Sequence, residues 1–316
     1  MVSTDKKIFE SASEVKARML GYVSQIDELF IIILGAKENL KIESKLKFIG
    51  LTRLKAFFWR PKAVKKFDLV TSQDPFETGL IAWRLARRFG AKLELQIHTD
   101  IGSPYFWQES VKNKIRFLIA NFLLPRADRI RVVSQRIADY LKAKSYNLKA
   151  KIEIRPIFVD VEKIKNTPVT VDLHKKYSQF NKIILMASRL TKEKNISLAI
   201  EAMREIVKQK SQTGLIIVGS GFEAKSLKLK VKSYNLEASI VFEPWADHET
   251  LISYYKTADL FLNTSWYEGY GMTLVEARAA GCPIISTDVG VAREVGARIV
   301  EHNYSSLAKG IIKSLE

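Results

Sequence analysis

The chain has 316 residues, 47% hydrophobic and 27% charged, with 51 Lys and Arg against 34 Asp and Glu and a formal charge of +17. That length suits two domains better than one, and that composition excludes disordered and collagen-like chains. The single cysteine, Cys282, excludes an internal disulfide framework and a cysteine-rich zinc site, and fits a reducing compartment.

The opening Met1-Val2-Ser3-Thr4-Asp5-Lys6-Lys7 lacks the apolar stretch of a signal peptide. No apolar run approaches the ~18 residues of a spanning helix, so a cytoplasmic location is expected. Strand-like runs follow at 29–34, 68–72, 93–98, 129–134, 183–188, 215–218, 240–242, 260–263 and 283–287. They are continuous Val, Ile and Leu runs, which suits strands covered on both faces. Helical patterns lie between them at 76–89, 110–124, 197–210 and 222–234. Strand–helix alternation predicts parallel sheets joined by right-handed crossovers. It pauses at the polar stretch 160–179, which reads as a linker and divides the chain into 1–165 and 166–316. The expected architecture is α/β, two doubly wound Rossmann-like domains facing a cleft, with ligands at the carboxyl ends of the strands.

Charge divides unevenly: residues 1–165 carry +14 and residues 166–316 carry +3. Within the first half, residues 51–66 hold Arg53, Lys55, Arg60, Lys62, Lys65 and Lys66 without an acid, interleaved with Phe57, Phe58 and Trp59. Such a patch can meet nucleic acid, an anionic membrane or an acidic substrate, or can simply be a solvated face. No G-x-G-x-x-G, Walker A or D-x-D sequence occurs, and the four histidines are widely spaced, so a metal held by the protein is not expected.

Two segments carry chemistry. In the first, the run from Asn263 to Ala277, a strand ends, a loop bearing Gly269 and Gly271 follows, and a helix begins near Met272. Glycine permits close backbone approach, and free amides at a helix start attract anions. Glu268 and Glu276 flank that point; they can accept hydrogen bonds from sugar hydroxyls, or serve merely as a loop acid and a first-turn acid. In the second, Arg189, Lys192 and Lys194 follow the strand 183–188 at a helix start, where cations oppose the helix dipole. An anion bound there would resolve the conflict; surface charge is the plainer account.

These segments resemble the C-terminal domain of a family-4, GT-B-type retaining glycosyltransferase (group 1 glycosyl transferase) over residues 187–294. Arg189 and Lys194 stand at the family's R-x4-K spacing, Val218-Gly219-Ser220-Gly221 matches its V-G-x-G turn, and Ser265 to Glu276 matches S-x-x-E-G-[FY]-G-x-x-x-x-E. The resemblance implies that Arg189 and Lys194 hold the donor diphosphate, Glu268 contacts the donor sugar and Glu276 the nucleotide ribose. It likewise places Gly219 and the amides of Gly271, Met272 and Thr273 near the nucleotide. More loosely, Leu95 to Asp100 resembles the strand end whose histidine, here His98, faces the donor sugar. Residues 68–75 resemble a turn lining the cleft. The chain departs from the family at both ends: Met1-Val2-Ser3 is at most the tail of the usual first strand, and the last, returning helix is expected to be missing.

The implied reaction moves a sugar from a nucleotide-diphosphate donor, UDP or GDP undecided, to a hydroxyl of a glycan or lipid-linked glycan, with retention and without a metal or other cofactor. Implied partners are the nucleotide sugar and the acceptor; the basic, aromatic patch of residues 51–66 itself offers contact with an anionic membrane surface on the cytoplasmic face, or with an acidic glycan. Two competitors remain: a nucleotide-sugar epimerase of the same fold, and a basic nucleic-acid-binding protein, which leaves the arginine–lysine and glutamate pattern unexplained.

Overall fold

The computed structural model describes residues 1–10, 13–59, 66–144 and 148–316. The basic residues Arg60, Lys62 and Lys65 of the 51–66 patch lie outside the described residues. The chain forms two compact units, Met1–Arg155 and Pro156–Glu316.

In the first unit the order is β1 (Val2–Ser3), α1 (Glu14–Val23), β2 (Leu29–Leu34), β3 (Lys41–Glu43), β4 (Leu46–Leu51), α2 (Arg53–Phe58), β5 (Leu69–Ser72) and α3 (Glu77–Phe89). It continues with β6 (Lys92–Ile97), α4 (Pro104–Gln108), α5 (Val111–Leu123), β7 (Arg129–Val132), α6 (Gln135–Ala143) and β8 (Lys151–Ile154). The strands lie in the order β3-β4-β2-β1-β5-β6-β7-β8. Every pairing is parallel except the hairpin of β3 with β4. Strand β1 is short. Its two residues sit mid-sheet, with Val2 opposite Ile32 on one side and Ser72 on the other.

The second unit runs α7 (Val161–Asn166), α8 (Leu173–Lys176), β9 (Lys182–Ala187), α9 (Ile196–Gln209), β10 (Thr213–Val218), α10 (Ala224–Ser233) and β11 (Ile240–Glu243). Then come α11 (His248–Thr257), β12 (Leu260–Asn263), α12 (Met272–Ala279), β13 (Ile284–Thr287), β14 (Arg298–Val300) and α13 (Tyr304–Ser314), which packs on α9. Its sheet is parallel throughout, in the order β11-β10-β9-β12-β13-β14.

The continuous apolar runs are explained by packing on both faces. Ile184 and Met186 of β9, with Leu215 and Ile217 of β10, enter the core shared with α9 and α13. The alternate residues Ile183, Leu185, Ile216 and Val218 enter the opposite core with Tyr254, Tyr255 and Leu274. Each such aliphatic side chain contributes about 1.5–3 kcal/mol on burial, so a polar residue on either face of these strands would be costly.

The stretch 160–179 is not an open linker. Asp160 and Asp172 cap α7 and α8, α7 packs on α12, and Lys256 Nζ donates to the carbonyls of Lys165 and Thr167 at 2.8 and 2.5 Å. These contacts assign the segment to the second unit, so the division falls at residue 155 rather than 165.

Candidate functional site

With the strands of the second unit counted from β9, the sheet order reads 3-2-1-4-5-6, which reverses between β9 and β12. Ligands of doubly wound sheets bind at the carboxyl ends flanking such a reversal. The two chemistry-bearing segments leave the sheet there: Ser188 to Asn195 follows β9, and Thr264 to Gly271 follows β12.

The two loops are tied together through the backbone. Thr264 Oγ1 donates to the carbonyls of Lys194 and Asn195 at 3.0 and 2.9 Å, and Trp266 N donates to Glu193 O at 2.8 Å. From the other side, Thr287 Oγ1 donates to Ser265 O at 2.7 Å and Val291 N to Tyr270 O at 2.8 Å. A glycine-bearing loop is thus held from both neighbouring strand ends, which presets its side chains before any ligand arrives.

Within this frame Lys194 Nζ meets Glu268 Oε1 at 2.5 Å, each side chain only 15% exposed. Ser265 Oγ donates to the same carboxylate oxygen at 2.8 Å. Arg189 meets Glu193 Oε1 at 3.1 Å but leaves its guanidinium largely in solvent, while Thr191 Oγ1 donates to Glu193 at 2.6 Å. Both cations expected to hold an anion therefore carry a carboxylate partner. Glu193, which sequence spacing did not single out, supplies one of them.

Helix α12 starts at Gly271, whose φ of 91° is left-handed and which offers no side-chain cap. The first-turn amides, at Met272 and Thr273, are left without intrahelical acceptors by helix geometry. The neighbouring helices α11 and α13 are capped by Asp247 and Asn303. An uncapped start next to two cations is a favourable anion environment. One turn in, Glu276 is buried at 7% exposure; it accepts from Tyr255 OH at 3.2 Å and lies 3.5 Å from His248 Nε2 on α11. Burial and the Glu276 charge hold the Tyr255 phenol well above its ordinary range. Neither Tyr255 nor His248 was legible as a site residue, because nothing in their local sequence ties them to a carboxylate more than twenty residues away.

Gly219 has a backbone reason for its identity. Its φ is 141°, and an added Cβ would lie 2.0 Å from Ser188 O. Leu190 N donates to Ser220 O at 2.8 Å beside it. The V-G-x-G turn is thus pressed against the strand end that carries Arg189.

His98 closes β6 in the first unit, with Nε2 3.3 Å from Gln96 Oε1. Its ring lies on an exposed residue, yet the surrounding protein, and then the Arg131 and Arg18 charges, lower its pKa below the usual 6.5. Gln73 pins the ends of β1 and β5 by accepting from Ser3 Oγ at 2.8 Å and Thr4 N at 3.0 Å. Nearby, burial raises the carboxyls of Asp74 and Asp100. The structure therefore gathers Arg189, Lys194, Gly219, Glu268, Gly271, Met272, Thr273 and Glu276 in one unit, with His98 in the other. Among the described residues no cluster of His, Cys, Asp and Glu could hold a metal ion.

Residues 173–316 match the family described as glycosyl transferases group 1, and residues 39–163 match glycosyltransferase family 4. Together with the two doubly wound sheets, these matches place the chain in the group 1, family-4 glycosyltransferases of GT-B fold. It is 24% identical to the alpha-monoglucosyldiacylglycerol synthase of Streptococcus pneumoniae over 70% of this chain and 52% of that one. It is 28% identical to the N-acetylgalactosamine-N,N'-diacetylbacillosaminyl-diphospho-undecaprenol 4-alpha-N-acetylgalactosaminyltransferase of Campylobacter jejuni, over 96% of this chain and 87% of that one. The chain spans 52%, 36% and 24% of the lengths of three of its curated relatives. In fold it is similar to the sucrose-phosphate synthase of Thermosynechococcus elongatus, with a TM-score of 0.76 and 22% identity over 95% of this chain and 83% of that one. An Anabaena protein solved in complex with UDP and glucose aligns with a TM-score of 0.71 and 16% identity over 100% of this chain and 89% of that one.

Proposed function

We propose that the protein transfers a glycosyl group, with retention, from a nucleoside-diphosphate sugar to a hydroxyl of a glycan or lipid-linked glycan. The observation that carries this reading is the convergence, at one strand reversal, of Arg189, Lys194 and the uncapped start of α12 with Glu268 and Glu276. The cations and amides suit a diphosphate; the carboxylates suit sugar and ribose hydroxyls.

In the reaction the bond from the donor's anomeric carbon to the leaving diphosphate oxygen breaks. A bond to the acceptor oxygen forms on the same face, and the acceptor's proton passes to the departing phosphate oxygen. Negative charge grows on that phosphate, where Arg189, Lys194 and the amides of Met272 and Thr273 stabilise it. These fixed charges would take the place of a divalent ion. Glu268 orients the donor sugar, and Glu276 the ribose.

The acceptor class is supported by two relatives whose names include a diacylglycerol and a diphospho-undecaprenol. Calorimetric titration with UDP, GDP and ADP, with EDTA present, tests donor class and metal independence together. NMR of the product's anomeric configuration tests retention. Failure of all three nucleotides to bind would overturn the reading, and donor conversion without acceptor would turn it into an epimerase.

A further inference from the structure

Helix α5 has a face that none of the described residues covers. Val111, Ile115, Leu118 and Phe122 are spaced four, three and four residues apart, so they form one stripe along three turns. They are 73%, 53%, 65% and 40% exposed. The opposite side of the helix is ordinary core: Ala120 and Leu123 are at most 1% exposed. A stripe of four large apolar side chains on a surface helix is more than scattered exposure requires.

The stripe extends across two neighbouring helices. Phe122 meets Trp83 of α3 edge-on at 5.2 Å. On α2, Leu54, Phe57 and Phe58 are 72%, 40% and 62% exposed, and α2 packs on α3. Arginines bind this surface together: Arg126 lies 3.8 Å over the Phe122 ring, Arg87 5.3 Å over Trp83, and Arg84 5.1 and 5.9 Å over Phe57 and Phe58. Lys112 and Lys114 on α5, and Arg53 and Lys55 on α2, are also exposed. The one acid on these three helices, Glu77, is engaged by Arg116 at 3.1 Å.

From this we infer that the α2–α3–α5 face of the first unit is a docking surface for an anionic lipid bilayer. Apolar side chains that enter the acyl boundary, ringed by Lys and Arg that meet anionic headgroups, are what interfacial helices use. Charge selects this occupant over a second copy of the chain, because two such faces would bring only cations together. The inference moves the contact from residues 51–66 to three packed helices, of which α2 supplies Phe57 and Phe58. It stands on this face alone and is independent of the reaction at the other unit's strand ends.

Flotation of the full chain with vesicles tests it. The probes are equal parts phosphatidylglycerol and phosphatidylcholine, against phosphatidylcholine alone. The wild type is expected to float only with the anionic vesicles. Ile115→Ser with Leu118→Ser is expected to lower that partition at least about tenfold, since each removes an apolar group that would be buried. Lys112→Glu with Lys114→Glu should do the same at low salt and make no difference at high salt. Both pairs are on exposed residues, so circular dichroism and the melting temperature should match the wild type. Equal flotation of wild type and both variants on anionic vesicles, or flotation of none, would overturn the inference. So would a dimer in sedimentation that Ile115→Ser with Leu118→Ser dissociates, since it would assign the face to a second copy.

Discussion

Lys194 and Glu268, 74 residues apart, close on each other at 2.5 Å between the loops after β9 and β12. A cation proposed to hold a diphosphate is thus neutralised by the acid proposed to hold the sugar. The donor must separate them. Binding then exchanges one partly buried ion pair for two contacts, phosphate with Lys194 and hydroxyl with Glu268. A ligand lacking the sugar gains the first and leaves Glu268 without its cation.

The two substitutions of this pair should therefore act oppositely on nucleotide affinity. Glu268→Gln frees Lys194 and should tighten nucleoside diphosphate about 3–10-fold, while transfer falls about 10²-fold or more through loss of sugar orientation. Lys194→Ala should weaken nucleotide and slow transfer. It should also destabilise the fold by about 1–3 kcal/mol, below the loss for a fully buried pair, because Glu268 keeps only Ser265 as a partner. Titration calorimetry and urea unfolding read these effects. Weaker nucleotide binding by Glu268→Gln would show that the pair does not compete with phosphate.

A second prediction concerns the turn behind Arg189. Gly219→Ala must push a Cβ to within 2.0 Å of Ser188 O at a φ of 141°. It should cost about 2–4 kcal/mol in thermal unfolding, a strain loss beyond the ordinary Gly-to-Ala range. Nucleotide affinity should fall too, because the displaced strand end carries Arg189. Normal stability would mean that the turn yields easily and that Gly219 owes its identity to the ligand.

Much of this was legible beforehand because the signals were local. The sheets of the second unit follow from uninterrupted apolar runs such as 183–187, which only a doubly covered strand needs. The candidate site was proposed from motif spacing, where each residue is placed by its own strand end or helix start. What escaped depends on distant partners. Strand β4 alternates, with Leu46 and Phe48 buried between partly exposed neighbours, and edge strand β8 is mostly exposed; neither shows a run. The stretch 160–179 reads as a linker by polarity, yet its two short helices are fixed by Asp caps and by Lys256 far along the chain. The carboxylate partners of Arg189 and Lys194 likewise become visible only once the loops are folded against each other.

Alkaline pH should weaken the second unit in a defined direction. Cys282 is 3% exposed; burial, and then the Asp259 charge, push its thiol from an ordinary value of 9.0 up to about 12. The folded chain keeps a proton that the unfolded chain releases, so stability is full below pH 9 and declines as pH rises toward 12. Tyr255, raised in the same direction by burial and Glu276, adds to the decline. Cys282→Ala should flatten part of the slope measured by urea unfolding between pH 8 and 10. An unfolding free energy that rises over this interval would contradict the assignment. In the native state Cys282 should also resist thiol reagents until unfolding exposes it.

The last prediction concerns what orients Glu276. The carboxylate is buried, and Tyr255, itself wholly enclosed and edge-on to Phe261 at 5.3 Å, donates to one of its oxygens at 3.2 Å. A ribose bound at the other oxygen would meet an acid already fixed in rotamer. Tyr255→Phe keeps the ring and removes only that donor. A hydrogen bond to a charged group contributes about 1.5–3 kcal/mol, and part of this should appear as lost stability and part as weaker nucleotide binding, about 3–10-fold. The readout separating orientation from general loosening is the ratio of affinities for the nucleoside diphosphate and its 2'- and 3'-deoxy analogues. The wild type should discriminate against at least one analogue. Glu276→Gln should largely abolish that discrimination, and Tyr255→Phe should reduce it while leaving the helix start, and hence binding of the diphosphate portion, in place. If Tyr255→Phe weakens ribo- and deoxynucleotides by the same factor, Tyr255 supports the core and does not position Glu276. If Glu276→Gln retains full discrimination, the ribose is held elsewhere.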